Sequence, residues 1–267
     1  MSEGNHTTEQ HGYRVGLLLS GPVPLPFEAF LATLRRLLPD ASGEVLADGI
    51  LVLKPTTGSD SVRVTRSSLN DEQIQAVSRA LSQTWDWPEA EDALQRSSSI
   101  VLVEESETGT ADRFQRVHRF HAALRALTEH LPVTALHWTT AQRLVDPRAF
   151  VLSLAHGGAI TDHAVNIRLF HIPDGKEGEL LMDTLGLGAF GLPDLQCHFA
   201  GADPAAMGAV LAGYANYLFD KGDVLTDDSL VRGIESFQEW ACERGESLAP
   251  PLRTVVDFRP DDLWVAP

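Results

Sequence analysis

Met182-Asp-Thr-Leu-Gly-Leu-Gly-Ala-Phe-Gly-Leu-Pro-Asp-Leu-Gln-Cys-His-Phe199 reads as two strands joined by a glycine- and proline-rich connection. The strands are predicted over 180–185 and 194–199. Along the second, Asp194, Gln196 and His198 fall on one face and Leu195, Cys197 and Phe199 on the other. Asp203-Pro204 then opens a helix, aspartate at the cap and proline in the first turn, and Gly222 closes it. Met207, Val210, Leu211, Tyr214 and Leu218 mark its buried side. A strand pair followed by an amphipathic helix, with a short strand over 224–226, a helix around Phe237, Trp240 and Ala241 and an extended tail over 253–258, gives an α+β reading.

Working towards the N-terminus, 165–172 alternates as a strand, and 133–138 is another. The segment 142–156 is expected to be helical, with an interruption at Pro147. Val117, Phe120, Leu124, Leu127 and Leu131 form the inward row of a long helix over 112–130. Before it come a strand over 13–19 and a helix carrying Phe27, Phe30, Leu31, Leu34, Leu37 and Leu38, ended by Pro39. A strand at Ile50-Leu-Val-Leu53 follows, then a turn at Thr57-Gly-Ser-Asp60 and a strand over 61–65. Asn70 caps the next helix, with Gln73 placed for a capping box and Ile74, Val77, Leu81 and Trp85 as the inner stripe. A helical insertion at 90–94 and a strand over 100–103 complete a β-α-β-β-α-β order, the ferredoxin-like or split βαβ layout. The expected organisation is a disordered lead-in over 1–12, a ferredoxin-like half over 13–110, a bridging helix over 111–132 and a second α+β half over 133–267. Both halves are expected as antiparallel or mixed sheets with helices on one face.

The formal charge is −16 over 267 residues. Such a surface repels nucleic acid and suits a basic partner. No apolar run is long enough to span a bilayer, and the polar start of the chain has no secretory core, so no membrane association is expected. Cys197 and Cys242 form no disulfide framework and fit a reducing cytoplasm.

Candidate chemistry gathers at the glycine-rich connection. Asp183 shares a strand row with Leu181 and Leu185, where a carboxylate loses hydration unless a partner compensates. Its expected role is structural, accepting hydrogen bonds from the backbone that follows or capping the turn. On that reading Asp183, Thr184, Gly186, Gly188, Gly191, Pro193 and Asp194 form a structural joint. The competing reading pairs Asp183 and Asp194 as carboxylates, with His198 as acid/base. Gly186, Gly188 and Gly191 fit neither a phosphate loop nor a dinucleotide fingerprint, because no Lys-Ser/Thr and no helix start follows. His137, Trp138, Gln142 and Gln196 are binding candidates, against the plainer role of Trp138 as core. His118 and His121 have metal-compatible helical spacing but lack a third ligand, and no cofactor or metal is implied.

The run Asp183-Thr184-Leu185-Gly186-Leu187, with Gly191-Leu192-Pro193-Asp194-Leu195-Gln196, resembles the hallmark of a bacterial family known as domain of unknown function 4261. The resemblance extends over roughly 130–260 through the helix from Pro204 and the 253–258 tail, and it implies no activity. Two functional expectations follow from the whole reading. One is a non-enzymatic bacterial cytoplasmic interaction module, immunity- or adaptor-like, bound to another protein such as a toxin or secretion component. The other is a small-molecule binder or hydrolase using Asp183, Asp194 and His198.

Overall fold

A computed structural model describes residues 12–46, 51–54, 61–106, 112–172 and 177–260. Ile50, the 57–60 turn and all of the lead-in but Gly12 lie outside the described residues. The chain forms two compact units, Gly12–Asn166 and a second from Ile167 onward, and its class is α+β.

The first unit holds β1 (Arg14–Leu19), α1 (Phe27–Leu37), β2 (Ser42–Val45), β3 (Leu51–Lys54), β4 (Ser61–Ser68), α2 (Asp71–Leu81), α3 (Ala90–Gln95), β5 (Ser99–Ser106), α4 (Arg113–His130), β6 (Val133–Trp138), β7 (Arg143–Val145), α5 (Pro147–Ala155) and α6 (Thr161–Ala164). Its sheet runs β2-β3-β4-β5-β1-β6-β7, and every neighbouring pair is antiparallel. This is not the split βαβ arrangement, in which each helix joins two parallel strands with one strand inserted between them. Two additions change the topology. β2, absent from the sequence reading, reverses the chain after α1, so β3 enters in the opposite sense. After α2, the α3 insertion returns the chain to the end of the sheet it left, and β5 lies directly beside β4, antiparallel to it.

Helices cover both faces of this sheet, not one. Leu18, Ile100, Ala135 and Leu144 pack with Val77 and Ala80 of α2 and Ala90 and Ala93 of α3. On the other face Trp138 stacks edge-on to Phe120 of α4 and Phe150 of α5. The expected bridging helix, α4, is therefore a core element of the first unit; β6 joins the first sheet although it was expected in the second half, and 143–145, expected as helix, is the strand β7 of the same sheet. The Asn70 capping box is present in both directions, a contribution of about 1 kcal/mol. The inner stripe of α2 is narrower than its spacing suggests: Val77 and Ala80 are buried, whereas Ile74 and Trp85 are exposed. The segment 142–156 divides at Pro147, whose missing N–H suits the first turn of α5 behind the Asp146 cap.

The second unit holds β8 (Asn166–His171), β9 (Glu179–Leu185), β10 (Asp194–Ala200), α7 (Pro204–Lys221), β11 (Leu230–Arg232), β12 (Glu239–Glu246) and β13 (Thr254–Arg259). The sheet order is β11-β12-β13-β10-β9-β8, with β13 parallel to β10. Leu195, Cys197, Phe199, Trp240, Cys242, Val256 and Phe258 make the apolar face, and α7 packs there through Met207, Leu211 and Leu218. Tyr214 of α7 meets Phe258 edge-on. The helix expected around 237–241 is instead the start of β12. Trp240 and Cys242 alternate inward, a period of two that the short apolar spacing concealed. Val224-Leu-Thr226 is not a strand; β11 begins at Leu230.

Candidate functional site

The opposite face of the second sheet is polar, because strand alternation brings Arg168, Asp183, Asp194, Gln196 and His198 to it. Asp183 is fully buried, at 0% exposure. Arg168 meets it two-pronged, Nε to Oδ1 at 2.8 Å and Nη2 to Oδ2 at 2.5 Å. Arg253, just before β13, donates from Nη2 to the same Oδ2 at 2.7 Å and from Nε to Asp194 Oδ2 at 2.9 Å. Two guanidiniums thus face two carboxylates in one buried network. Paired and hydrogen-bonded charges tolerate burial that a lone carboxylate would not.

The joint between β9 and β10 is closed by Thr184 and Asp194. The Thr184 hydroxyl donates to Asp194 Oδ1 at 2.9 Å and accepts from the Leu195 amide at 2.8 Å. Asp194 also accepts from the Leu187 amide at 3.1 Å and the Gly186 amide at 3.5 Å. Leu187–Phe190 makes a single 3-10 turn, flanked by Gly186 at φ 132° and Gly191 at φ 73°. Only glycine takes such values without strain. Gly188, inside the turn, has no positive φ. Burial pushes the Asp194 carboxyl above its ordinary range and the Asp183 charge adds to the push, while Arg253, Thr184 and the Leu187 amide pull against it.

The network reaches a loop as well. Arg168 Nη1 donates to the Pro250 carbonyl at 2.8 Å, and Arg253 Nη1 to those of Ala249 and Pro251 at 3.0 and 2.9 Å. Gln196 Oε1 accepts from the Leu248 amide at 3.0 Å. Three sheet strands, a tight joint and the 247–253 loop are therefore fastened by the same few side chains.

Residues 183–259 match the family model described as a domain of unknown function, DUF4261. No curated protein and no solved structure matches the chain. The DUF4261 segment is narrower than the 130–260 resemblance. It begins at Asp183 and takes in Thr184, Asp194, Gln196 and Arg253, but not Arg168, which lies on the strand before it.

Within the DUF4261 segment the predicted residues divide. Asp183 and Asp194 do converge, but through Arg253. Asp194 accepts from the Gly186 and Leu187 amides, Thr184 and Arg253, whereas both oxygens of Asp183 serve arginines and not the glycine-rich backbone. His198 does not join them: it lies four residues along β10 from Asp194, about 13 Å at strand rise. Glu179 lies 3.9 Å from its Nε2, and among the described residues neither ring nitrogen has a hydrogen-bond partner. Gln196 is occupied by the loop. Pro193 is buried immediately ahead of β10.

The remaining binding candidates belong to the first unit. Trp138 is core, packed against Phe120, His121 and Phe150. His137 is buried, and burial followed by the charge of Arg79 pushes its pKa down to about 4. Gln142 closes the β6–β7 hairpin at φ 48°. Among the described residues no cluster of three His, Cys, Asp or Glu side chains is arranged to hold a metal ion, and no helix is long and apolar enough to cross a membrane.

Arg168 and Arg253 are the residues that sequence reasoning missed. The signal was indirect: an aspartate placed in a leucine row demands a cation, and Arg168 stands on the inward-facing row of the preceding strand.

Proposed function

We propose that this chain is a non-enzymatic protein-interaction module of the bacterial cytoplasm, immunity- or adaptor-like, whose partner is a basic protein such as a toxin or secretion component. One observation carries the reading. All four carboxylate oxygens of Asp183 and Asp194 already accept hydrogen bonds from arginines, Thr184 or main-chain amides. A general acid or base needs an oxygen within reach of a reactant's proton, and these have none to spare. What the network does supply is rigidity, which lowers the ordering cost of binding a partner. The charge of −16 adds long-range attraction for a basic protein and repulsion of polyanions.

Affinity purification of the tagged full chain from its native cells, at low and high salt, tests this. The expected result is a basic protein recovered in stoichiometric amount at low salt and released as salt rises. Recovery of the chain alone at low salt would overturn it.

A further inference from the structure

The 247–253 loop is a small, closed and heavily fastened structure. Ser247 N donates to the Arg253 carbonyl at 2.9 Å, and Arg253 N returns to Ser247 Oγ at 3.2 Å, so the two ends are tied together. Ser247 Oγ also donates to the Pro251 carbonyl at 3.0 Å. The Arg253 guanidinium fills the interior and binds the carbonyls of Ala249 and Pro251, while Arg168 holds Pro250 from beneath.

The outward side of this loop is apolar. Leu248 is 47% exposed and Leu252 66%, and Pro250 and Pro251 are exposed between them. A surface loop usually presents polar side chains; this one spends its polar groups inward and its leucines outward. Its one arginine is turned into the buried network, with 11% of its side chain exposed. Glu246, the residue just before the loop, is exposed and adds a negative charge beside it.

We propose that the 247–253 loop is the docking element of the module, and that it takes an apolar segment of another protein flanked by lysine or arginine. The inference rests on the interaction-module reading and adds to it a surface and a partner chemistry. Charge selects the occupant. A second copy would bring another −16 and a second Glu246 to the contact, whereas a basic segment gains attraction as its apolar side chains cover Leu248 and Leu252. Because the loop is already fastened, docking orders little that is not ordered beforehand.

The test is selection from a random peptide display library against the full-length protein, followed by titration of the selected synthetic peptides. Selected sequences are expected to combine an aliphatic or aromatic residue with Lys or Arg. Leu252→Ser and Leu248→Ser, both at solvent-exposed positions, should each weaken binding about tenfold or more, as anchor truncations do. Phe237→Ser, at the turn before β12, should leave binding unchanged, and all three variants should unfold like the wild type. Peptides that bind Leu252→Ser and Leu248→Ser as tightly as wild type would overturn the loop assignment and leave the module reading standing. Absence of any selected basic-apolar sequence would overturn both. A concentration-dependent dimer by sedimentation, abolished in Leu252→Ser, would replace the basic partner with a second copy.

Discussion

Arg253 holds Asp183 and Asp194 with one guanidinium, Nη2 on the first at 2.7 Å and Nε on the second at 2.9 Å. Arg168 completes the pairing of Asp183 from the other side. Removing one partner from such a buried set strands a charge without hydration. Arg168→Met and Asp183→Ala are each expected to cost roughly 3–5 kcal/mol, and the double variant clearly less than their sum. Arg168→Lys should not rescue, because an ammonium cannot make the two-pronged contact. Urea unfolding of the four proteins measures all of this; additive losses would show that the pair is not coupled.

The joint makes a second prediction at the backbone. Gly191 sits at φ 73°, where a side chain is strained, while Gly188 lies within the 3-10 turn with nothing within 4 Å of an added Cβ. Gly191→Ala should destabilise by about 1–2 kcal/mol, and Gly188→Ala should be neutral or slightly stabilising. Thermal unfolding separates the two, and equal losses would remove the backbone argument.

Much of this fold is legible in the sequence because local chemistry and tertiary packing agree. Asn70 with Gln73 forms the capping box that its spacing announces, Asp203-Pro204 opens α7, and 133–138 is a strand to the residue. Legibility fails where only the assembled sheet decides. Nothing local in Ser42–Val45 marks β2 as a strand, yet that strand reverses the sense of β3 and with it the topology. Phe237, Trp240 and Ala241 look helical until the α7 side of the sheet claims Trp240 and Cys242. At the joint the oddity of Asp183 is visible in sequence, but its partners come from 15 residues before and 70 after, separations that no spacing rule reaches.

Buried histidines set the acid response of the first unit. Burial, followed by neighbouring positive groups, lowers His121 to about 3, and it lowers His137 and His163 to about 4. Each folded value lies below the unfolded one near 6.5. The stability each contributes is therefore present above pH 6.5 and lost as pH falls through the folded value, since the unfolded chain binds the proton first. Stability measured by urea between pH 7 and 4 should fall with a slope that His121→Phe reduces by about one proton. An unchanged slope in that variant would mean that His121 is already charged in the native protein.

His198 makes the opposite case to Asp183. It is buried at 5% exposure, and among the described residues neither Nδ1 nor Nε2 has a hydrogen-bond partner, so the ring loses hydration without recovering a bond there. Glu179 stands 3.9 Å away, beyond hydrogen-bonding distance. Replacing a buried polar group that lacks a partner by an apolar one of similar size removes a cost and leaves no orphan behind. His198→Leu should therefore match or exceed wild-type stability at pH 7, in contrast to the loss expected for Asp183→Ala on the same sheet face. A loss of more than about 2 kcal/mol, beyond the net worth of an ordinary hydrogen bond, would show that the imidazole is engaged in the folded protein. The comparison separates a side chain that the fold depends on from one that it merely accommodates.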